Sequence, residues 1–346
     1  MRLDATSFVA PSRVLTNDDV IALVAQASQP TLGPDLAHTL RKLSLLLQRS
    51  GARRRRWLAD GEQPLDLVAR AVQQALDRAA YQPDEVDLLL YASIDRGFLE
   101  PANAYFVARA LGMSSVECFD VLDACNGWLR AVQITQNALL AGEHHKVLIV
   151  NAEFPMLDGG VIYPDLFALR SEEQLAWSFA AFTLGEGVTA TLLSADDTAP
   201  WTFRFSSRAA LSDLCTVPLF GFDRYAPRVD LARNGLYRFS ADSRAMFAVA
   251  ADELPALFVS LDVPLDDVRL IVPHAATQRA LDDGADLLGV RHLLHHVYPE
   301  YGNLASASIP AGLSTAVECC RLHRGERVIA CSASAGMSFG VASFVY

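Results

Sequence analysis

Apolar and polar positions fall into blocks of two periods along the chain. The runs "VDLLLYAS" (86–93), "ECFDVL" (117–122), "KVLIVNAE" (146–153) and "GVTATLLS" (187–194) are short, β-branched and bounded by turn residues, the mark of buried strands. Helical periods separate the first three, as in "LDLVARAVQQALDRAA" (65–80) and "ANAYFVARALG" (102–112). The second half alternates in the same way: "DVRLIVPHAA" (267–276), a helical stretch, "ERVIACSASAG" (326–336), then "GVASFVY" (340–346). The pattern predicts a buried mixed sheet in each of two similar α/β halves. Two aromatic-rich segments, 153–174 and 196–235, lack either period and are expected to wall a pocket or a dimer contact rather than to join a sheet.

Composition narrows the class. With 346 residues, of which 51% are apolar and 20% charged, the chain can bury a full core in one large or two ordinary domains. A net charge of −11 speaks against nucleic-acid or membrane-surface partners, which need a Lys/Arg excess. The opening "MRLDATSFVAPSRV" has no apolar stretch of signal-peptide length, and the most apolar window, "LAWSFAAFTLGEGVTATLL", is broken by Ser178, Gly185 and Glu186. A cytoplasmic protein is expected. The six cysteines show no CxxC spacing, and Cys319–Cys320 fall in a helical stretch, so neither a metal site nor a disulfide framework is expected.

Three residues carry chemical promise. In "VLDACNGWLRAVQITQNALLAGE" (121–143), a strand ending at "VLD" and a helix starting near Asn126 would set the Cys125 sulfur over unpaired N–H groups, which favour thiolate. The helix is apolar and should end at Gly142. The plain alternative is a small hydrophobe in a core. His274 follows a strand run, and Asn303 sits in a Gly-Asn-small-small loop before another helix, as active-site residues of layered α/β folds often do. Taken singly, such a histidine is more often structural and a Gly-Asn more often a turn.

In order along the chain, "SFVAPSRVLTNDDV", "RSGARRRR" (49–56), "DACNGW", "LGEGVTATLL", "VPHAAT", "YGNLASASIP" and "SASAGMSFGVASFVY" together resemble the β-ketoacyl-ACP synthase III branch of the thiolase-fold condensing enzymes. The resemblance implies an α/β, thiolase-like fold: two similar αβαβα halves in a five-layered core, divided here at 1–195 and 196–346. It implies a homodimer and a triad of Cys125, His274 and Asn303, with the backbone N–H groups of Cys125 and Ala335 as oxyanion hole, although Ser334 and Ala335 replace part of the family's glycine-rich ending. Thioesters of CoA or acyl carrier protein are then the substrates, with no bound cofactor and no metal. The residue types suit that chemistry. A cysteine holds the acyl group, while a neutral His274 and the Asn303 amide can both donate to an enolate oxygen, which an ionised Asp could not.

Departures from that pattern qualify the substrate. Ala275 and Thr277 stand where fatty-acid initiation enzymes have Gln and Asn, and Leu45 stands where an aromatic would stack on a CoA adenine. Asp282, Asp283 and Asp286 occupy a helix that is basic in those enzymes, leaving Arg279. Arg49 and the run Arg53–Arg56 are candidates for a phosphate of pantetheine or CoA, a solvated basic turn being the alternative. Glu100 stands before Pro101, where initiation enzymes have an aromatic from the neighbouring subunit. Here the chain is similar to enzymes that join two acyl chains, in which a glutamate from the partner subunit removes an α-proton. A helix-terminal acid is the alternative. The sequence thus points to an acyltransferase that forms a carbon–carbon bond by Claisen condensation, in specialised metabolism. A decarboxylating synthase III, an acyltransferase to oxygen or nitrogen, and an inactive heterodimer partner stay open.

Overall fold

The computed structural model describes residues 1–196, 200–227 and 229–346. The first half contributes β1 (Arg2–Val9), β2 (Arg13–Thr16), α1 (Asn17–Leu32), α2 (Leu36–Ser50), β3 (Arg54–Trp57), α3 (Pro64–Ala79), β4 (Leu88–Tyr91), α4 (Asn103–Ala110), β5 (Glu117–Asp120), α5 (Gly127–Ala141), β6 (Lys146–Glu153), α6 (Gln174–Ser178) and β7 (Gly187–Ser194). The second contributes β8 (Thr202–Ser207), β9 (Cys215–Thr216), β10 (Ser240–Ala241), α7 (Ser243–Val259), β11 (Val268–Pro273), α8 (Gln278–Leu287), α9 (Tyr298–Tyr301), α10 (Ser308–Glu318), β12 (Arg327–Ser334) and β13 (Ser338–Val345).

The two main sheets share one topology. The first runs β1-β7-β6-β4-β5 and the second β8-β13-β12-β11, with the first two pairings antiparallel and the next parallel in each. A parallel bridge from Ile271 to Leu294 stands where the first sheet has β5. The strands are buried on both faces because successive side chains feed different layers. Val147 and Ile149 of β6 point into the central cluster, and Leu148, Val150 and Ala152 into the outer one. Helices α5 and α10 lie between the sheets, sharing a core with Leu88, Leu90, Val272, Val328 and Phe344. Helix α3 covers the outside of the first sheet, and α7 and α8 cover the second. The result is five layers, αβαβα. Trp128 anchors the middle, fully buried, with its indole N–H donating to Thr191 Oγ1 at 3.0 Å. Such an aromatic contributes about 3 kcal/mol of transfer free energy.

Three expectations change. The stretch 196–235, read as irregular, supplies β8 as an edge strand of the second sheet; its residues 197–199 and 228 lie outside the described ones. Phe203 and Phe205 alternate with polar residues and pack on the central cluster, a period of two too short to stand out among so many aromatics. The basic run is a strand rather than a turn: β3 pairs with β2, and Arg55 is fully buried, donating to Asn17 Oδ1 (2.8 Å) and the Phe182 carbonyl (2.9 Å). Cys319 and Cys320 close α10 rather than lie within it, Cys320 in the left-handed region at φ 57°.

Candidate active site

Cys125 sits where β5 gives way to α5. A single 3-10 turn, Ala124–Asn126, joins them, and Ala124 before the cysteine adopts φ 45°, a strained conformation for a residue with a Cβ. The turn is held from the other half of the molecule. Ser334 Oγ accepts from Asn126 N (3.3 Å) and donates to the Asp123 carbonyl (3.2 Å), while the Asp123 carboxylate accepts from Ser338 Oγ (3.3 Å), Asn126 Nδ2 (3.2 Å) and Arg130 Nε (3.2 Å). These bonds bring the β12–β13 turn, with Ala335 and Gly336 (φ 116°), beside the cysteine. Helix α5 ends at Gly142 in the left-handed region, as its sequence predicts.

His274 follows β11, its N–H donating to the Cys331 carbonyl at 2.7 Å. The ring is fixed by Ser308 Oγ, 3.1 Å from Nδ1, and by the Ala305 backbone. Asn303 is held through its backbone between Thr183 O and Gly185 N, both 2.9 Å. Its Oδ1 accepts the Ala305 N–H at 2.8 Å, which leaves the amide hydrogens to the cavity. Two glycines make this possible. A Cβ on Gly185 would stand 1.8 Å from the Tyr301 carbonyl oxygen, and Gly302 (φ 73°) has the Thr183 carbonyl 2.5 Å from its Cβ position.

Cys125, His274, Asn303 and Ala335 line one cavity of about 580 Å³, walled by apolar residues of α7, of α8 and of the turn that ends it, among them Met246, Phe247, Leu254, Phe258, Leu281 and Leu288. Burial governs its electrostatics. It pushes His274 down to about 4, the Ala305 contact opposing, so the imidazole is neutral at pH 7. It pushes the Cys125 thiol well above its ordinary value, with Cys215 and Glu153 adding and the Ser334 hydroxyl opposing. The helix start therefore does not make Cys125 a resting thiolate: loss of water outweighs the N-terminal field.

Several residues of the cavity escape a reading of the sequence. Cys215 reaches it from β9, and Asp95 and Glu153 from the ends of β4 and β6. Only Glu153 leaves a sequence signal, an acid closing an otherwise apolar strand run. Glu100 is outside this cavity, on an exposed segment with Phe98 and Leu99, the latter 82% exposed. Arg49, Arg53 and Arg279 come together near the junction of α2 and α8, where Gln278 packs on Gly51 and Thr277 Oγ1 donates to the Ser50 carbonyl. Arg53 pairs with Glu300 at 2.7 Å and Arg279 with Asp283 at 3.7 Å. Among the described residues no group of three or more His, Cys, Asp or Glu is placed to hold a metal, and no helix is long and apolar enough to cross a membrane.

Comparison with known proteins places this arrangement. Residues 260–346 match the model of the 3-oxoacyl-[acyl-carrier-protein] synthase III C-terminal family. The β-ketoacyl-[acyl-carrier-protein] synthase III of Symbiobacterium thermophilum is 26% identical over 337 residues, covering 95% of this chain and 93% of its own length. That of Aliarcobacter butzleri is 27% identical over 314 residues, covering 87% and 89%. Xanthomonas campestris OleA superposes over 99% of this chain and 98% of its own with a TM-score of 0.82 at 21% identity, in a structure with bound lauric acid and lauroyl-CoA. Its cerulenin-bound form gives 0.84 at 22% identity, covering 99% and 96%. The C-terminal match and the relatives along nearly the whole chain make this chain similar to the β-ketoacyl-ACP synthases III, and its duplicated five-layer fold is the one OleA has.

Proposed function

We propose that the protein joins two acyl thioesters by Claisen condensation through an acyl-Cys125 intermediate. The observation that carries this reading is the single apolar cavity into which Cys125, His274 and Asn303 converge from both halves, 1–195 and 196–346. Cys125 attacks the first thioester and the donor thiol departs, the tetrahedral oxyanion lying against the N–H groups of Cys125 and Ala335. The second thioester then loses an α-proton. Its enolate oxygen is held by a neutral His274 and the Asn303 amide, and its carbon attacks the acyl-Cys carbonyl. Lauroyl-CoA in the OleA structure supports a long acyl thioester, and Arg49, Arg53 and Arg279 are the cations disposed to meet the phosphates of CoA or the phosphopantetheine of a carrier protein.

The α-proton is assigned to Glu100 of the partner subunit. β5 is the free edge of the first sheet, and Phe98, Leu99, Tyr105, Phe119 and Leu122 on and around it are exposed, a surface suited to a homodimer. An edge contact there would carry the 96–101 segment of each subunit toward the other. A cytoplasmic location is consistent with substrates of this kind. The test is intact-mass analysis with a panel of acyl-CoAs and acyl carrier proteins, followed by peptide mapping and product analysis. An acyl adduct on Cys125, absent from Cys125→Ala, and a β-keto product are expected; acyl mass elsewhere, or transfer only to an alcohol or amine, would refute the reading.

A further inference from the structure

Besides the triad, the cavity holds two carboxyl groups. Asp95, just past β4, and Glu153, the last residue of β6, both line it, and their carboxyls lie within hydrogen-bonding reach of one another. The pair is built in. Glu153 accepts from Ser306 Oγ, Ser306 N (3.3 Å), Ile94 N (3.2 Å) and Asp95 N (3.3 Å), and Asp95 Oδ2 accepts from Phe154 N at 2.9 Å. Among the described residues neither has a Lys or Arg within ion-pair distance. The nearest cation to Asp95, Arg96, pairs with Asp120 at 3.6 Å. The other titratable groups facing the pair are the Tyr91 phenol, Glu186 and Cys125 itself. Glu153 is fully buried, whereas Asp95 is partly open to the cavity.

Cys125 needs such a neighbour. Its thiol must shed a proton to attack, and its sulfur must regain one to leave when the carbon–carbon bond forms. His274, driven down to about 4 by burial, is a weak base at neutral pH and holds no second proton to give. Two carboxyls in contact do not both ionise readily, so one proton is shared between them; burial raises Asp95 to about 6, the hydrogen bonds from Glu153 and Phe154 opposing, while burial and the Asp95 charge push Glu153 well above the usual carboxylate range.

We propose that Asp95, positioned by Glu153, is a catalytic residue that takes the Cys125 proton during acylation and returns it during condensation. The assignment rests on the condensing reading but not on Glu100. On acylation the S–H bond breaks, the proton passes to the carboxyl pair, the sulfur's electron pair forms the bond to the acyl carbon, and the donor thiol departs with the electrons of the broken thioester bond and takes a proton from solvent. On condensation the acyl–sulfur bond breaks, its electrons return to sulfur, and the pair protonates it, while the α-proton goes to Glu100 of the partner subunit.

The test measures two rates across pH 5–9 for the parent and for Asp95→Asn: acylation of Cys125 by an acyl-CoA, and its alkylation by iodoacetamide. Asp95→Asn should slow acylation at pH 7 by about 10²-fold, the lower end for loss of a general base. It should also remove a rise in alkylation rate centred near pH 6 in the parent, and Asp95→Glu should restore part of both. Hybrid dimers of Asp95→Asn with Cys125→Ala should stay inactive, because the pair serves its own chain's cysteine. Unchanged rates and pH profiles in Asp95→Asn, or recovery in those hybrids, would overturn the assignment. If Asp95→Asn does not fold, the parent's alkylation profile decides: a rise near pH 6 supports the pair, and a profile with no rise between pH 5 and 7 refutes it. Absence of any acyl adduct would instead refute the condensing reading and leave the alkylation test standing.

Discussion

Replacing Asn303 by Asp separates the two half-reactions while leaving the fold nearly untouched. Asn303 Oδ1 accepts the Ala305 N–H at 2.8 Å in a site only 8% exposed, and a carboxylate keeps that bond. Asn303→Ala would instead strand a buried donor, costing about 1–3 kcal/mol of stability. What Asp removes is the amide donor facing the cavity, worth about 3 kcal/mol at a developing oxyanion. It also adds a negative charge near the enolate oxygen, costing about 4 kcal/mol more for unit charges ~4 Å apart in a partly shielded site. Together these come to about 7 kcal/mol, so condensation at pH 8 should fall by about 10⁵-fold. Acylation of Cys125, whose oxyanion faces backbone N–H groups, should change by no more than about threefold. Single-turnover quench with mass detection gives acylation, and product analysis gives condensation. Because the low-dielectric site favours a neutral carboxyl, and a protonated Asp donates again, part of the loss should return near pH 5. Condensation at the parent rate, or acylation lost as fully as condensation, would refute the division of labour.

Glu100→Gln should leave acylation intact and abolish condensation of two non-malonyl thioesters, and mixing it with Cys125→Ala should restore part of the activity through hybrid dimers; equal turnover by Glu100→Gln and the parent would reduce Glu100 to a helix-terminal acid. Because His274 is held at about 4 in the fold and near 6.5 when unfolded, the unfolded chain takes up the proton first as pH falls. The parent's urea stability relative to His274→Asn should thus be unchanged above about pH 7 and fall by about 3 kcal/mol by pH 4. Gly185→Ala places a methyl 1.8 Å from the Tyr301 carbonyl oxygen and should cost about 3 kcal/mol by urea unfolding, with condensation falling more than acylation in the protein that still folds; a stability within about 0.5 kcal/mol of the parent would show that the Asn303 loop yields.

The alternation of apolar runs was enough to locate seven strands of the two main sheets, the helices α3 to α5 and the strand-to-helix position of Cys125, because buried strands and amphipathic helices write their periods directly into local composition. The ordered motifs carried the likeness to condensing enzymes and named Cys125, His274 and Asn303, which the fold then gathers into one cavity. Local sequence could not place β8, whose register depends on an edge that exists only once β13 is laid down. It could not separate Arg55 from the other arginines of its run, since partners 38 and 127 residues away make it structural. It misjudged the state of Cys125 for the same reason: a helix start is a local feature, but the burial that opposes it comes from both halves closing over the sulfur. Asp95 and Glu153, 58 residues apart, meet only because β4 and β6 are parallel neighbours whose ends open on the same cavity. Periodicity fixes which faces are buried, while contacts between distant residues, and the loss of water they cause, arise only when the chain is folded.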